Sequence, residues 1–342
     1  MRRVVTGLAI ALSLGLISSC SSPAKLLHIS SSASVSLNPL TGMPGKAGEL
    51  LVVKVDDTPL AHPQIGIASA DVVYIEQVEG GLTRLATIFA NGRKALPPKI
   101  GPVRSARISD IDILAGYGHV GFAFSGAQAK MEPVIAAANL EIISAEREPA
   151  SIYSRDLTRQ EPTNLILDPL ALLVKTVDTE KRTIDAAHSM GWTFGALPTN
   201  PHSVGATAIS DASMRWPSSH YSVKWNANVH QWMISYEGAP DLDANGLQLS
   251  TPIFIVQKVS ITDSIYHDKV GGITPFSNTV GSGSGFILRD GLAIPASWSR
   301  SDAQSGTRWS LSDGSVAHFT PGQVWIALTD HDPQFTYPAA SK

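Results

Sequence analysis

A single cysteine, Cys20, stands in a chain of 342 residues. No intramolecular disulfide can brace such a chain and no cluster of thiolates can hold a metal in it, so its fold must rest on an apolar core. The material for one is present: 43% of residues are hydrophobic and only 16% charged, over a length that suits two packed domains. The formal charge of −3 lacks the basic excess of a nucleic-acid binder, and no nucleic-acid partner is expected.

The position of that cysteine is informative. Arg2 and Arg3 precede an uncharged apolar run, Val4 to Ile17, which is shorter than the roughly 20 residues of a membrane-spanning helix. A basic start, a short apolar stretch and small residues describe a secretory signal, here 1–19. The run ends Ile17-Ser18-Ser19-Cys20, which resembles a bacterial lipobox, in which the cysteine receives the lipid. The expectation is a protein anchored through Cys20 to the extracytoplasmic face of a bacterial membrane. The serine-rich stretch 20–36 that follows reads as a flexible tether.

Beyond the tether the pattern changes character once. From 37 to 195, β-type runs alternate with helical ones, which predicts an α+β or α/β domain. LLVVKVDD (50–57) reads as a strand, and DVVYIEQV (71–78) and TRLATIFA (83–90) read as a hairpin closed by Gly80-Gly81. Ser105 to Gly116 is a predicted helix with Ile108, Ile111, Leu114 and Ala115 on its apolar face. Asp168-Pro169 is a helix entry, the aspartate as N-cap and the proline in the first turn. After a linker at 196–203, short strands between turns predict a mainly β domain over 204–330 and a tail at 331–342. Asp290-Gly291 and Asp313-Gly314 are its strongest hairpin signals. Six of the seven tryptophans lie beyond residue 215, available to a core or to a sugar-stacking surface.

Four segments carry a resemblance: Asn38-Pro39-Leu40-Thr41-Gly42, VEGGLTR (78–84), IGPVRSAR (100–107) and the late DG…PGQVWI (313–326). With the lipobox, they resemble the YerB-like lipoprotein family, which joins an N-terminal and a C-terminal domain of unknown function. The resemblance implies an architecture and a cellular location but no activity. Where the family pattern places Pro-His-Asn after the Arg155-Asp156 pair, this chain has Pro162-Thr163-Asn164.

The chemistry available is dominated by charge in the first domain: Asp56, Glu76, Glu79, Arg84, Arg104 and Arg107, with Asp57 beside the first and Arg155 and Asp156 as further candidates later in the chain. Two arginines at a helix start sit where the helix dipole is already positive, so a negative partner must be near. Glu76 and Glu79 could supply it in an internal network, or an anionic ligand could, because guanidinium forks and helix amides suit phosphate and carboxylate. Two of the carboxylates could instead act as an acid/base pair on a glycan or phosphodiester, which requires them about 5–9.5 Å apart.

Other constellations are weak. The ten histidines form no HxxxH or HxH pair, so no metal or cofactor is expected. Gly281-Ser282-Gly283-Ser284-Gly285 fits neither a nucleophile elbow nor a phosphate loop and reads as a flexible turn. Three functions stay open on these residues. They are a lipid-anchored envelope protein that binds an anionic or polar ligand or a protein partner, an envelope hydrolase or transferase, and a purely structural protein.

Overall fold

The computed structural model describes residues 36–339; the signal, Cys20 and nearly all of the tether lie outside them. The first half contributes β1 (Leu51–Asp56), β2 (Val72–Gln77), β3 (Thr83–Phe89), α1 (Ile108–Ala115), β4 (Val120–Ala123), α2 (Glu132–Ala137), β5 (Leu140–Ile142), a small hairpin β6 (Tyr153–Arg155) and β7 (Leu165–Leu167), and α3 (Pro169–Leu173). The second half contributes β8 (Asp211–Trp216), β9 (Ser219–Asn226), β10 (Gln231–Tyr236), β11 (Ile253–Lys258), β12 (Ser260–His267), β13 (Ile273–Asn278), β14 (Gly281–Arg289), β15 (Leu292–Arg300), β16 (Arg308–Ser310), β17 (Val324–Thr329) and β18 (Gln334–Thr336).

Strands from both halves join one mixed sheet in the order β16-β15-β14-β11-β17-β2-β3-β1-β4-β5. The seam is β17, parallel to β2 in the register Val72↔Val324 through Ile75↔Ala327 and parallel to β11 on its other side. β1, β4 and β5 run parallel, while β3 is antiparallel to both β1 and β2. Both faces of this sheet are covered, which is why its inner strands read as near-continuous apolar runs. On one face Val52, Val72, Tyr74 and Ile88 pack with α1, α2 and the indoles of Trp298 and Trp309. On the other, Val53, Val55, Val73 and Ile75 meet α3 and a second antiparallel sheet built on β8, β9, β10 and β18, with Trp216, Tyr221 and Trp232 between them. Each such aliphatic side chain, fully buried, contributes about 1.5–3 kcal/mol.

Local signals place several elements as read. Asp168 caps α3 by accepting the Ala171 N–H at 3.0 Å, and β14 turns into β15 through Asp290 and Gly291, both at positive φ, the two-residue turn that suits strand twist. Three readings are corrected. The Gly-Ser run at 281–285 is no turn but the first half of β14, paired along its length with β15. Its glycines admit indoles: a Cβ on Gly283 would lie 2.6 Å from Trp298 Nε1, and one on Gly285 only 2.2 Å from the Val256 carbonyl oxygen. Helix α1 begins three residues later than its pattern suggests and buries Ser109, Asp110, Ile113 and Leu114, with Ile108 and Ile111 only partly covered. Polar partners rotate it: Ser109 Oγ accepts the Ser277 N–H at 2.9 Å and Asp110 meets a buried lysine. Within the segment read as a tail, Gln334–Thr336 forms β18 on the edge of β8. The tryptophans beyond residue 215 serve the core, five of them buried and Trp225 half-buried against Trp232.

Candidate functional site

The carboxyl ends of β1 and β2 and the start of β3 carry most of the charge. In open α/β sheets, ligand crevices form outside such strand ends. Because strand side chains alternate, the adjacent Asp56 and Asp57 leave β1 toward opposite faces, and each face holds a separate polar cluster.

The first cluster lies on the α1 side. Lys54, in the middle of the apolar β1, is fully buried and joins Glu76 and Asp110, its Nζ donating to Asp110 Oδ1 at 2.7 Å. Asp110 Oδ2 accepts the Arg107 backbone N–H at 2.7 Å, closing the first turn of α1. Burial, and then the neighbouring Asp110 charge, raise the pKa of Glu76, against the pull of Lys54. Glu76 therefore faces Lys54 inside the protein, not the arginines.

The segment IGPVRSAR runs extended beside β1. Arg104 N–H donates to the Lys54 carbonyl at 2.8 Å, and Ala106 N–H to Gly126 O at 3.0 Å, just beyond β4. These bonds set three guanidinium groups at one place. Arg107 Nε donates to Glu79 Oε2 at 2.7 Å, and Glu79 also accepts the Thr274 hydroxyl of β13. Burial works against the charge on Glu79, but Arg107 and Thr274 hold its carboxyl below the usual range. Arg104 Nε lies 2.9 Å from Asp56 Oδ2 without the alignment of a hydrogen bond.

Arg84 is different. It is buried and donates to the Ser105 carbonyl at 2.8 Å, and among the described residues it makes no ion pair. Burial, followed by its neighbours Arg107 and Arg104, pushes its pKa down to about 9, so it stays charged at neutral pH. A cleft of about 730 Å³ opens over these groups, walled by Glu79, Arg84, Arg104 and Arg107 on one side and by His267 at the end of β12 and Lys269 of the β12–β13 turn on the other. A neighbouring cavity of about 550 Å³ continues past Arg104 to Arg155. Asp56 and Glu76 are fully buried and stand behind this wall.

The second cluster, on the opposite face, was not singled out by any motif. Asp57 accepts hydrogen bonds from Tyr221 at 2.6 Å, Thr83 at 2.5 Å and Gln64 at 3.0 Å. His62 bridges Asp57, with Nε2 at 3.2 Å, and Asp241, with Nδ1 at 2.8 Å, and stacks on Tyr236 at 4.1 Å between ring centroids. Burial opposes the imidazolium, but the carboxylates of Asp241 and Asp57 raise the pKa of His62 from 6.5 to about 10. Only the acidic doublet at the end of β1 hinted at it. Among the described residues no group of three or more His, Cys, Asp or Glu is placed to hold a metal ion.

A fold with charged strand ends enclosed between two sequence-distinct halves defines a two-domain family, and the chain belongs to it. Residues 40–184 match the N-terminal domain, and 212–326 the C-terminal domain, of a family described as protein of unknown function (DUF3048). Among curated proteins, the chain is 23% identical over 290 residues to one from Bacillus subtilis (strain 168) named putative lipoprotein YerB, covering 81% of this chain and 80% of that one. Among solved structures, it is similar to the crystal structure of YerB protein from Bacillus subtilis, with a TM-score of 0.71 and 19% identity, covering 86% of this chain and 97% of that one. The structural likeness is one of fold.

Proposed function

We propose that this is a lipid-anchored protein of the bacterial envelope whose cleft at the IGPVRSAR segment binds an anionic ligand without chemistry upon it. One observation carries the reading. Arg84 is a buried guanidinium with no carboxylate partner among the described residues, aimed at a cleft that Arg104, Arg107 and Lys269 also line. A buried charge is costly without an opposite one, and a bound phosphate or carboxylate accepts from several guanidinium donors at once. The sign of the local balance agrees: Asp56 pairs with Arg104 and Glu79 with Arg107, which leaves Arg84 as the third guanidinium without a carboxylate of its own.

The same geometry disfavours the hydrolytic alternative. Asp56 is paired with Arg104, Glu76 with Lys54 and Glu79 with Arg107, so none of the three is free to exchange protons with a substrate. Anchorage rests on the lipobox at Cys20 and on the Bacillus subtilis relative's being named a lipoprotein; among the described residues no helix is long and apolar enough to cross a membrane.

Thermal unfolding of the full chain in phosphate, sulfate and carboxylate salts, at constant ionic strength, tests the cleft. A ligand at 100 times its Kd stabilises by about 2.7 kcal/mol, and Arg84→Gln is expected to abolish that shift. Equal shifts in wild type and variant would refute the site.

A further inference from the structure

The two cavities share Arg104, Ser105, Ala127, Pro162 and Lys269 in their walls, so they form one continuous groove. Its cations are distributed along it. Arg84 sits in the inner part, Lys269 borders both parts, and Arg155 lines the outer part. Among the described residues none of these three makes an ion pair. Arg84 gives a hydrogen bond to the Ser105 carbonyl, and Arg155 gives one to Asn164 Oδ1 at 2.6 Å. Cavities of about 730 and 550 Å³ each fall in the range of pockets that take a whole small molecule, roughly 300–1,000 Å³, and so exceed what one oxyanion fills.

Of the five acids in the same walls, two are in ion pairs, Glu79 with Arg107 and Glu148 with Lys175 at 2.8 Å. Asp268 accepts the Val270 and Gly272 N–H groups of its own turn, bonds that fix the carboxylate but bring no opposite charge. With the exposed Glu132 and Glu146 it disfavours an anion away from the line of cations. Tyr153, the aromatic ring of the outer part, is 4% exposed, so nucleic-acid bases find no stacking platform there.

We infer that the groove takes a linear polyanion, a chain carrying phosphate or carboxylate groups at intervals, laid from Arg84 past Lys269 to Arg155. The inference rests on the anion-binding reading above and adds to it that several anionic groups of one molecule are held together. The two halves of the protein both contribute, since Lys269 reaches the groove from the β12–β13 turn while Arg84, Arg104 and Arg155 come from the first half. Linked sites of this kind gain affinity through effective concentration, with no contact stronger than the single one.

Titration calorimetry on the detergent-solubilised full chain, at fixed ionic strength, provides the test. The probes are orthophosphate, tripolyphosphate and a longer linear polyphosphate, with a parallel series of oligogalacturonates. Affinity is expected to rise at least about tenfold from the single to the long anion, and the better series identifies phosphate or carboxylate as the charged group. Lys269→Gln and Arg155→Gln, both at exposed positions, are expected to flatten that dependence on length; Arg84→Gln is expected to weaken every probe. Equal affinity at all lengths, or an unchanged length dependence in both outer variants, overturns the linear ligand and leaves a single-anion site standing. Absence of binding by every anion overturns both readings. Binding of oligothymidylate as tightly as polyphosphate overturns the assignment to a polyanion other than nucleic acid.

Discussion

At the scale of single residues, Lys54 decides how the charged end of the sheet is arranged. Its ammonium sits in a fully buried position between Glu76 and Asp110, and Asp110 in turn fixes the Arg107 backbone N–H. Removing one member of such a cluster strands the others. Lys54→Met is therefore expected to cost about 3–5 kcal/mol in urea unfolding. The triple variant Lys54→Met, Glu76→Gln, Asp110→Asn should recover most of that, because it leaves no uncompensated charge; no recovery would show that packing of the lysine stem matters more. His62 makes a prediction in pH. Its pKa is raised from 6.5 to about 10, so its contribution to stability is complete below pH 6.5 and lost as pH climbs through 10. His62→Gln should lower the urea midpoint clearly at pH 6 and much less at pH 10.5. Equal losses at both values would mean that the Asp57–His62–Asp241 bridge carries no charge-dependent stability. Neither residue was legible in the sequence. Lys54 lies 22 and 56 residues from its partners, and His62 lies 179 from Asp241, and no local pattern encodes those pairings.

At the scale of elements, what the sequence discloses is what neighbours in the chain decide. β1, the β2–β3 hairpin, the Asp168 cap and the Asp290-Gly291 turn follow from residues within a few positions of each other. The Gly-Ser run of β14 misleads because its glycines answer to distant indoles, not to a turn. Gly285→Ala would drive a Cβ to 2.2 Å from the Val256 carbonyl oxygen on the adjacent strand β11, and backbone cannot step aside as a side chain can. A loss of about 1–3 kcal/mol is expected, whereas Ser284→Ala, at the exposed neighbouring position of the same strand, should cost less than Gly285→Ala; the reverse order in urea midpoints would contradict the account. The β12–β13 ribbon is held over the arginine cleft by the Thr274 hydroxyl on Glu79 and by Gln128 on the His267 carbonyl. Thr274→Val keeps the shape and removes the first bond. Faster amide exchange across 260–278, with the rest of the chain unchanged, is the expected outcome. Of the candidate site, Glu79, Arg84, Arg104 and Arg107, which the sequence groups by charge, line one cleft. The sequence could not show that Glu76 turns inward to a lysine, or that the opposite wall comes from residues 267–274.

At the scale of the whole molecule, the two family domains are less separate than their sequences are. β17, from the C-terminal domain, lies hydrogen-bonded between β2 and β11, so the N-terminal domain alone would expose the edge of β2 and the apolar residues that β17 covers. Both cores continue across that seam: Val72 and Ile255 share one with Ile326, and Val73 shares the other with Trp325. A unit bound together by a shared central strand should unfold as one. Tryptophan fluorescence reports chiefly on the second half, where six of the seven indoles lie, while amide exchange of β1 and β3 reports on the first. Both are expected to give the same midpoint in urea, as a two-state transition requires. Breaking the seam by Ala327→Asp, a buried charge facing apolar neighbours, should lower both midpoints together. Two resolved transitions in the wild type, or a variant that unsettles only the second half, would instead mean that each domain carries its own stability and that β17 merely docks against β2.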